Sequence, residues 1–158
     1  MKIPEDFVCV HNENEIKGFF KGYRFLSNMF PCEVDIYNHK FKSSEHAYQW
    51  AKSIDVGINP CVVDALSPTE VKQWGKTFKL RNNWNMYKES VMMDCVYTKF
   101  YNNDTLQKLL LETGNAYLEE LNWWRDSEWG VDCKTGKGEN KLGNILMNVR
   151  KMLRINAL

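Results

Sequence analysis

A chain of 158 residues and 18.6 kDa is the size of one domain and long enough to bury a core without disulfide or metal staples. Its formal charge of +1 gives no bulk attraction to polyanions, which argues against a scanning nucleic-acid binder with a basic face but leaves room for a local phosphate pocket. The 44% hydrophobic and 26% charged fractions are ordinary for a globular protein, whereas 13% aromatic with six Trp is high, so rings fill a core or line a site for a flat ligand.

The first 14 residues carry Glu5, Asp6 and Glu13 and no apolar stretch of the kind a signal peptide needs. No segment approaches the ~20 apolar residues of a membrane span. Five cysteines, Cys9, Cys32, Cys61, Cys95 and Cys133, form an odd set with no Cys-x-x-Cys pair. That predicts free thiols in a reducing cytoplasm, with neither a disulfide framework nor a zinc site.

From Ile16 to Ile36, aromatics interleave with polar groups around Gly18, Gly22 and Pro31, a pattern for short strands and a loop. Asn38-His39-Lys40 reads as a turn joining a strand at Cys32 to Tyr37 with a short one at Phe41, which makes a β-hairpin. Ser43 or Ser44 then caps a helix with Ala47, Tyr48 and Ala51 on one face and Gln49 and Lys52 on the other. The segment from Asp55 to Pro60 breaks it. Ser67-Pro68-Thr69-Glu70 supplies an N-cap, a proline at N1 and an acid at N3, so a second helix starts there and runs to about Thr77.

A longer helix from about Asn85 to Tyr101 has Tyr87, Val91, Met92, Cys95, Val96 and Phe100 on one stripe, and another starts at Asp104 and ends near Gly114. Tyr117 to Trp124 is expected as a short strand. Asp126 to Gly143, with four glycines and a Trp, reads as a site-building loop, and Leu142 to Leu153 as an amphipathic helix with Ile145, Leu146, Val149 and Met152 on its docking face. The sum is an α+β chain, mostly helical, with a small N-terminal β-hairpin or sheet, in one domain with a core over about residues 16–154.

Three constellations could carry chemistry. In Ser44-Glu45-His46 with Tyr48 and Trp50, Glu45 lies beside the positive end of a helix dipole, which favours an ionised carboxylate able to stabilise a ribosyl cation or accept a proton from water. Its plain alternative is a first-turn acid that only complements the dipole; for His46 the plain alternative is a packed, hydrogen-bonded ring. In Arg81-Asn82-Asn83-Trp84, the indole could stack on a base and the guanidinium grip phosphate, against the alternative that Trp84 is core. In Asp126-Ser-Glu-Trp129-Gly130 and Gly136-Lys-Gly138-Glu-Asn140, glycine-flanked amides could approach an anion while Asn140 caps the last helix towards a phosphate. A solvated turn is the alternative there, since neither a Walker A loop nor a dinucleotide fingerprint is present. Together the three suit an N-glycosidic bond, whose cleavage builds positive charge on the sugar and negative charge on the base; Glu45 and Asp126 are the candidate carboxylates.

With these residues in view the chain resembles the NADAR family, also called the YbiA-like proteins. The matching stretches are Phe25-Leu-Ser-Asn-Met-Phe-Pro31, Ser44-Glu-His-Ala-Tyr-Gln49, Lys72 with Gly75 and Lys76, Arg81 with Trp84, Val91-Met92 and Lys99-Phe100. Thr113-Gly114, Asp126-Ser-Glu-Trp-Gly130, Gly138-Glu-Asn-Lys-Leu-Gly143, Leu146-Met147 and Val149-Arg150 follow in the family's order. The resemblance implies a compact α+β N-glycosidase acting on phosphoribosylamino-pyrimidine intermediates of riboflavin synthesis or on ADP-ribose attached to guanine in nucleic acid. It places the family's glutamate at Glu45, its tryptophan at Trp84 and its acid before Trp-Gly at Asp126, with Asn28 and Asn140 as pocket residues. Trp129 belongs to the same substrate-binding set; Lys76, Arg81 and amides near Gly138 would bind phosphate. No metal, cofactor or membrane is expected. A non-catalytic module for ADP-ribose or NAD is the alternative built from the same residues.

Overall fold

The computed structural model describes residues 3–156. The architecture is α+β and predominantly helical, and the chain folds as two compact units, one made of the residues up to Ser27 with those from Lys108 on, the other of Asn28–Gln107.

In the second unit, β3 (Val34–Ile36) and β4 (His39–Phe41) form the expected antiparallel hairpin, with Ile36 opposite His39. The turn falls on Tyr37 and Asn38, at φ 50 and 62, one residue earlier than expected. Two successive positive φ values match the right-handed strand twist, which is why a two-residue hairpin adopts them even with Tyr at the first position. Helix α1 (Ser44–Ala51) follows, packed by α2 (Pro60–Asp64), α3 (Pro68–Trp74), α4 (Trp84–Tyr101) and both hairpin strands. All eight α1 residues are therefore buried. This corrects the expected polar outer face: Gln49 is 4% exposed, because neighbours enclose the helix on every side.

The break after α1 does occur, at Gly57 with φ 69, but α2 was not anticipated; Asn59 caps it by accepting from Cys61 N, with Pro60 at the first position. The capping box of α3 forms as read, Ser67 N donating to Glu70 Oε2 at 2.8 Å and Glu70 N to Ser67 Oγ at 3.3 Å. Along α4, Val91, Met92, Cys95, Val96 and Phe100 are buried as expected, each apolar side chain contributing about 1.5–3 kcal/mol by leaving water. Tyr87 is instead 43% exposed, because Trp84 fills the buried slot at that end of the helix.

In the first unit β1 (Val10–His11) pairs antiparallel with β2 (Glu15–Lys17), which pairs parallel with β5 (Tyr117–Glu119). Helix α6 (Lys141–Asn156) packs on β5 and buries Leu142, Ile145, Leu146, Val149 and Leu153; Met152 is 43% exposed at the margin of that stripe. Helix α5 (Asp104–Glu112) starts in the second unit and ends in the first; Asp104 is already inside its first turn, Gln107 N donating to Asn103 O. Arg150 closes its far end, donating from Nη1 to Thr113 Oγ1 at 2.7 Å and from Nη2 to Ala116 O at 2.9 Å. The short strands β6 (Leu121–Asn122) and β7 (Val131–Asp132) pair in parallel, so the glycine-rich segment is tied at its middle. All five cysteines are free thiols, and no described helix is long and apolar enough to cross a membrane.

Candidate functional site

Of the expected residues, the second unit holds Asn28, Glu45, Lys76, Arg81 and Trp84, and the first holds Asp126, Trp129, Gly138 and Asn140.

Ser43 is the residue that caps α1, its Oγ accepting from His46 N at 3.3 Å. The same hydroxyl is 2.7 Å from His46 Nδ1, while His46 Nε2 meets Leu66 O at 2.9 Å. A carbonyl only accepts, so Nε2 bears the hydrogen and Nδ1 accepts from Ser43. Both ring nitrogens are used, and His46 is the packed histidine of the plain reading.

Glu45 takes the second position of α1, where the unpaired amide end of the helix favours negative charge. Its backbone N–H donates to Asn28 O at 3.0 Å. The side chain is 5% exposed and accepts from Gln49 Nε2 at 2.7 Å, and among the described residues no cation pairs with it. Its charge is felt nearby: burial foremost, then the negative charges of Asp94 and Glu45, push the Cys95 thiol far above its ordinary range. Asn28, 8% exposed, donates from Nδ2 to Met92 Sδ at 3.2 Å. Two buried amide oxygens here, Asn28 Oδ1 and Gln49 Oε1, have no donor. Leaving such an acceptor unmet costs about 1–3 kcal/mol.

Trp84 opens α4 at 6% exposure, its ring tilted against Tyr48 with centroids 5.3 Å apart, so it is built into the wall of the Glu45 helix. Arg81 N donates to Lys52 O at 2.7 Å, its guanidinium lies 4.9 Å from the Tyr87 ring centroid, and its buried Nε has no partner. Lys76 is exposed, directly after Gly75.

In the first unit Asp126 forms an Asx turn: Oδ1 accepts from Trp129 N at 2.9 Å and Glu128 N at 3.2 Å. Asn122, fully buried and missed in the sequence, clamps its backbone from both sides, accepting from Asp126 N at 3.0 Å and donating to Asp126 O at 2.8 Å. The amides after Gly138 are also used. Glu139, Asn140, Lys141 and Leu142 N–H groups donate to the carbonyls of Ser127, Gly130, Glu128 and Trp129. This corrects the expected anion cradle at the start of the last helix, since those four donors are already spent on the chain itself.

Gly138 is required for close packing: a Cβ there would stand 2.1 Å from Gly130 O. Asn140 does not cap α6 with its side chain, which donates to Leu118 O at 2.9 Å and Tyr117 Oη at 3.0 Å and accepts from Glu120 N at 3.0 Å. The signal for Gln49 was available, as residues four apart on a helix meet. Asn122 had no comparable signal, because its partners are set by the pairing of β6 with β7.

The sequence model of the NADAR domain matches residues 11–154. An N-glycosidase of Nostoc punctiforme is 35% identical over 141 residues, covering 85% of this chain and 88% of that protein. A riboflavin biosynthesis protein of Vibrio vulnificus is 34% identical over 139 residues; the match covers 87% of this chain but spans only 37% of that longer protein. The NMR structure of the Escherichia coli protein YbiA superposes with a TM-score of 0.81 at 30% sequence identity, covering 94% of this chain and 90% of the other.

Proposed function

The chain belongs to the NADAR domain family, and on that premise we propose that it is an N-glycosidase that hydrolyses the bond between a phosphorylated ribose and a base. The observation that carries the reading is Glu45, a buried carboxylate at a helix start, held by an amide donor and paired with no cation among the described residues. A buried acid without an ion pair is costly to keep for stability alone.

In the reaction, water adds its oxygen to the anomeric carbon, the carbon–nitrogen bond breaks with its electron pair going to the base, and the base nitrogen takes up a proton. Glu45 stabilises the oxocarbenium-like sugar and takes the proton from water; the base nitrogen is protonated from solvent, to which Glu45 returns its proton at the end of the cycle. Trp84 backs the base, Asn28 lines the substrate, and the side chains of Lys76 and Arg81 hold the phosphate. The family resemblance gives Asp126 the role of orienting the ribose or sharing proton transfer, and Trp129 that of a substrate-binding residue. The relatives named for riboflavin biosynthesis favour an aminopyrimidine as the departing base; ADP-ribosyl-guanine in nucleic acid is the second substrate to test.

Incubation with each substrate, following free base by chromatography, tests the reading. Glu45→Gln keeps the shape and removes the charge; turnover is expected to fall about 100- to 10,000-fold at unchanged melting temperature. Tight binding of ADP-ribose or NAD with no product from either substrate would show a non-catalytic binding module instead.

A further inference from the structure

Gly75 ends α3 in ordinary right-handed helical geometry, with φ −59 and ψ −17. No left-handed torsion calls for glycine there, and in that conformation glycine is a poorer choice than alanine. The reason lies in the space beside it. A Cβ at position 75 would stand 1.9 Å from Gln49 Oε1 and 2.7 Å from Gln49 Cδ. The room that a methyl group would take is occupied by the Gln49 amide.

That amide also has its other end on the candidate catalytic acid. Gln49 Nε2 donates to Glu45 Oε1 at 2.7 Å, with Gln49 and Glu45 4% and 5% exposed. An ionised carboxylate only accepts, so it fixes which way the amide points: the NH2 faces Glu45 and the oxygen faces Gly75. Gln49 Oε1 is buried there without a donor. A methyl group at position 75 would therefore require this amide or its surroundings to shift.

We propose that Gln49 is the positioning residue of Glu45, and that Gly75, 26 residues after Gln49 in the chain, makes the space that keeps Gln49 in place. The bond to Oε1 holds one carboxylate oxygen and directs the other, which receives no hydrogen bond among the described residues, to the reacting centre. This rests on the N-glycosidase reading of Glu45. It adds a steric coupling from α3 to the acid through one buried amide.

The test is a double-mutant cycle of Gly75→Ala and Gln49→Ala, read by turnover, melting temperature and the side-chain amide signals of Gln49 in 15N-labelled protein. Each single variant is expected to lower kcat about 100-fold, the scale of a misplaced reacting group, with KM within about twofold. Gly75→Ala is expected to displace the Gln49 amide signals and lower the melting temperature. In the Gln49→Ala background, where both atoms inside 3 Å are gone and the Val71 carbonyl oxygen at 3.1 Å is the tightest remaining neighbour, it is expected to add no further loss in either measure. That background also keeps the cycle readable if Gly75→Ala alone fails to fold. Unchanged Gln49 signals in Gly75→Ala, or losses that multiply in the double variant, would overturn the coupling. If KM rises with kcat unchanged, Gln49 binds substrate and does not position Glu45. If the unmodified protein turns over neither substrate, the N-glycosidase reading falls, and the amide signals and melting temperatures still decide the coupling.

Discussion

Asp132 is 6% exposed and holds the turn after β7 with one oxygen, which accepts from Thr135 N and Lys134 N at 2.9 Å and from Thr135 Oγ1 at 3.2 Å. These donors, the Thr135 amide foremost, hold its carboxyl below the ordinary value. A depressed carboxyl contributes stability that is fully present above the unfolded value of about 3.9 and is lost as pH falls through the folded one. The melting-temperature gap between the native chain and Asp132→Asn should be constant from pH 7 to about 5 and narrow below about pH 4. An equal gap at pH 3 and 7 would assign the effect to shape instead of charge. Residues of this kind also mark what sequence can and cannot tell. The place of Glu45 in the first turn of a capped helix was legible because the cap and its partner Gln49 lie close by in the chain. The occupied amides of Glu139 to Leu142 were not, since they are set by carbonyls about 10 to 15 residues back in a loop without a regular period.

At the scale of elements, α4 carries a cation on its buried stripe. Lys99 is 1% exposed, its ammonium nitrogen 5.1 Å from the Phe100 ring centroid and 5.7 Å from that of Phe30. Burial pushes it down from 10.5 to about 8, with Cys32 acting weakly in the opposite direction. As pH rises through about 8 the folded chain releases a proton that the unfolded chain keeps to about 10.5, so this residue makes the fold more stable with pH across that window. Against Lys99→Met, the native chain should therefore gain in relative melting temperature between pH 8 and 10; parallel curves would show that the ammonium is not desolvated. Periodicity found α4 because its stripe is apolar at helical spacing, and Lys99 escaped it because a lysine reads as surface. The enclosure of α1 was hidden for a related reason: Gln49 looks like an outward residue until α3 and its glycine are placed against it.

For the whole molecule, charge is the property that separates the two substrates. With 21 basic against 20 acidic residues, the chain has no surplus to lay along a polyanion. The proposed phosphate contacts are two side chains, Lys76 and Arg81, once the amides after Gly138 are spent internally. Each phosphate neutralised on a duplex changes the logarithm of affinity by about −0.9 per decade of salt, and by about −0.7 on a single strand. Two contacts thus predict a slope of about −2 or shallower for kcat/KM against salt on an ADP-ribosyl-guanine oligonucleotide, and one no steeper on a free phosphoribosylamino-pyrimidine, which releases no condensed counterions. With Lys76 and Arg81 as the phosphate contacts, lengthening the oligonucleotide should leave that slope unchanged. A slope several units steeper on the oligonucleotide alone would reveal a track for the strand and make modified nucleic acid the preferred substrate. Equal shallow slopes, with faster release of the aminopyrimidine, would place the selectivity in the base pocket around Glu45 and Trp84.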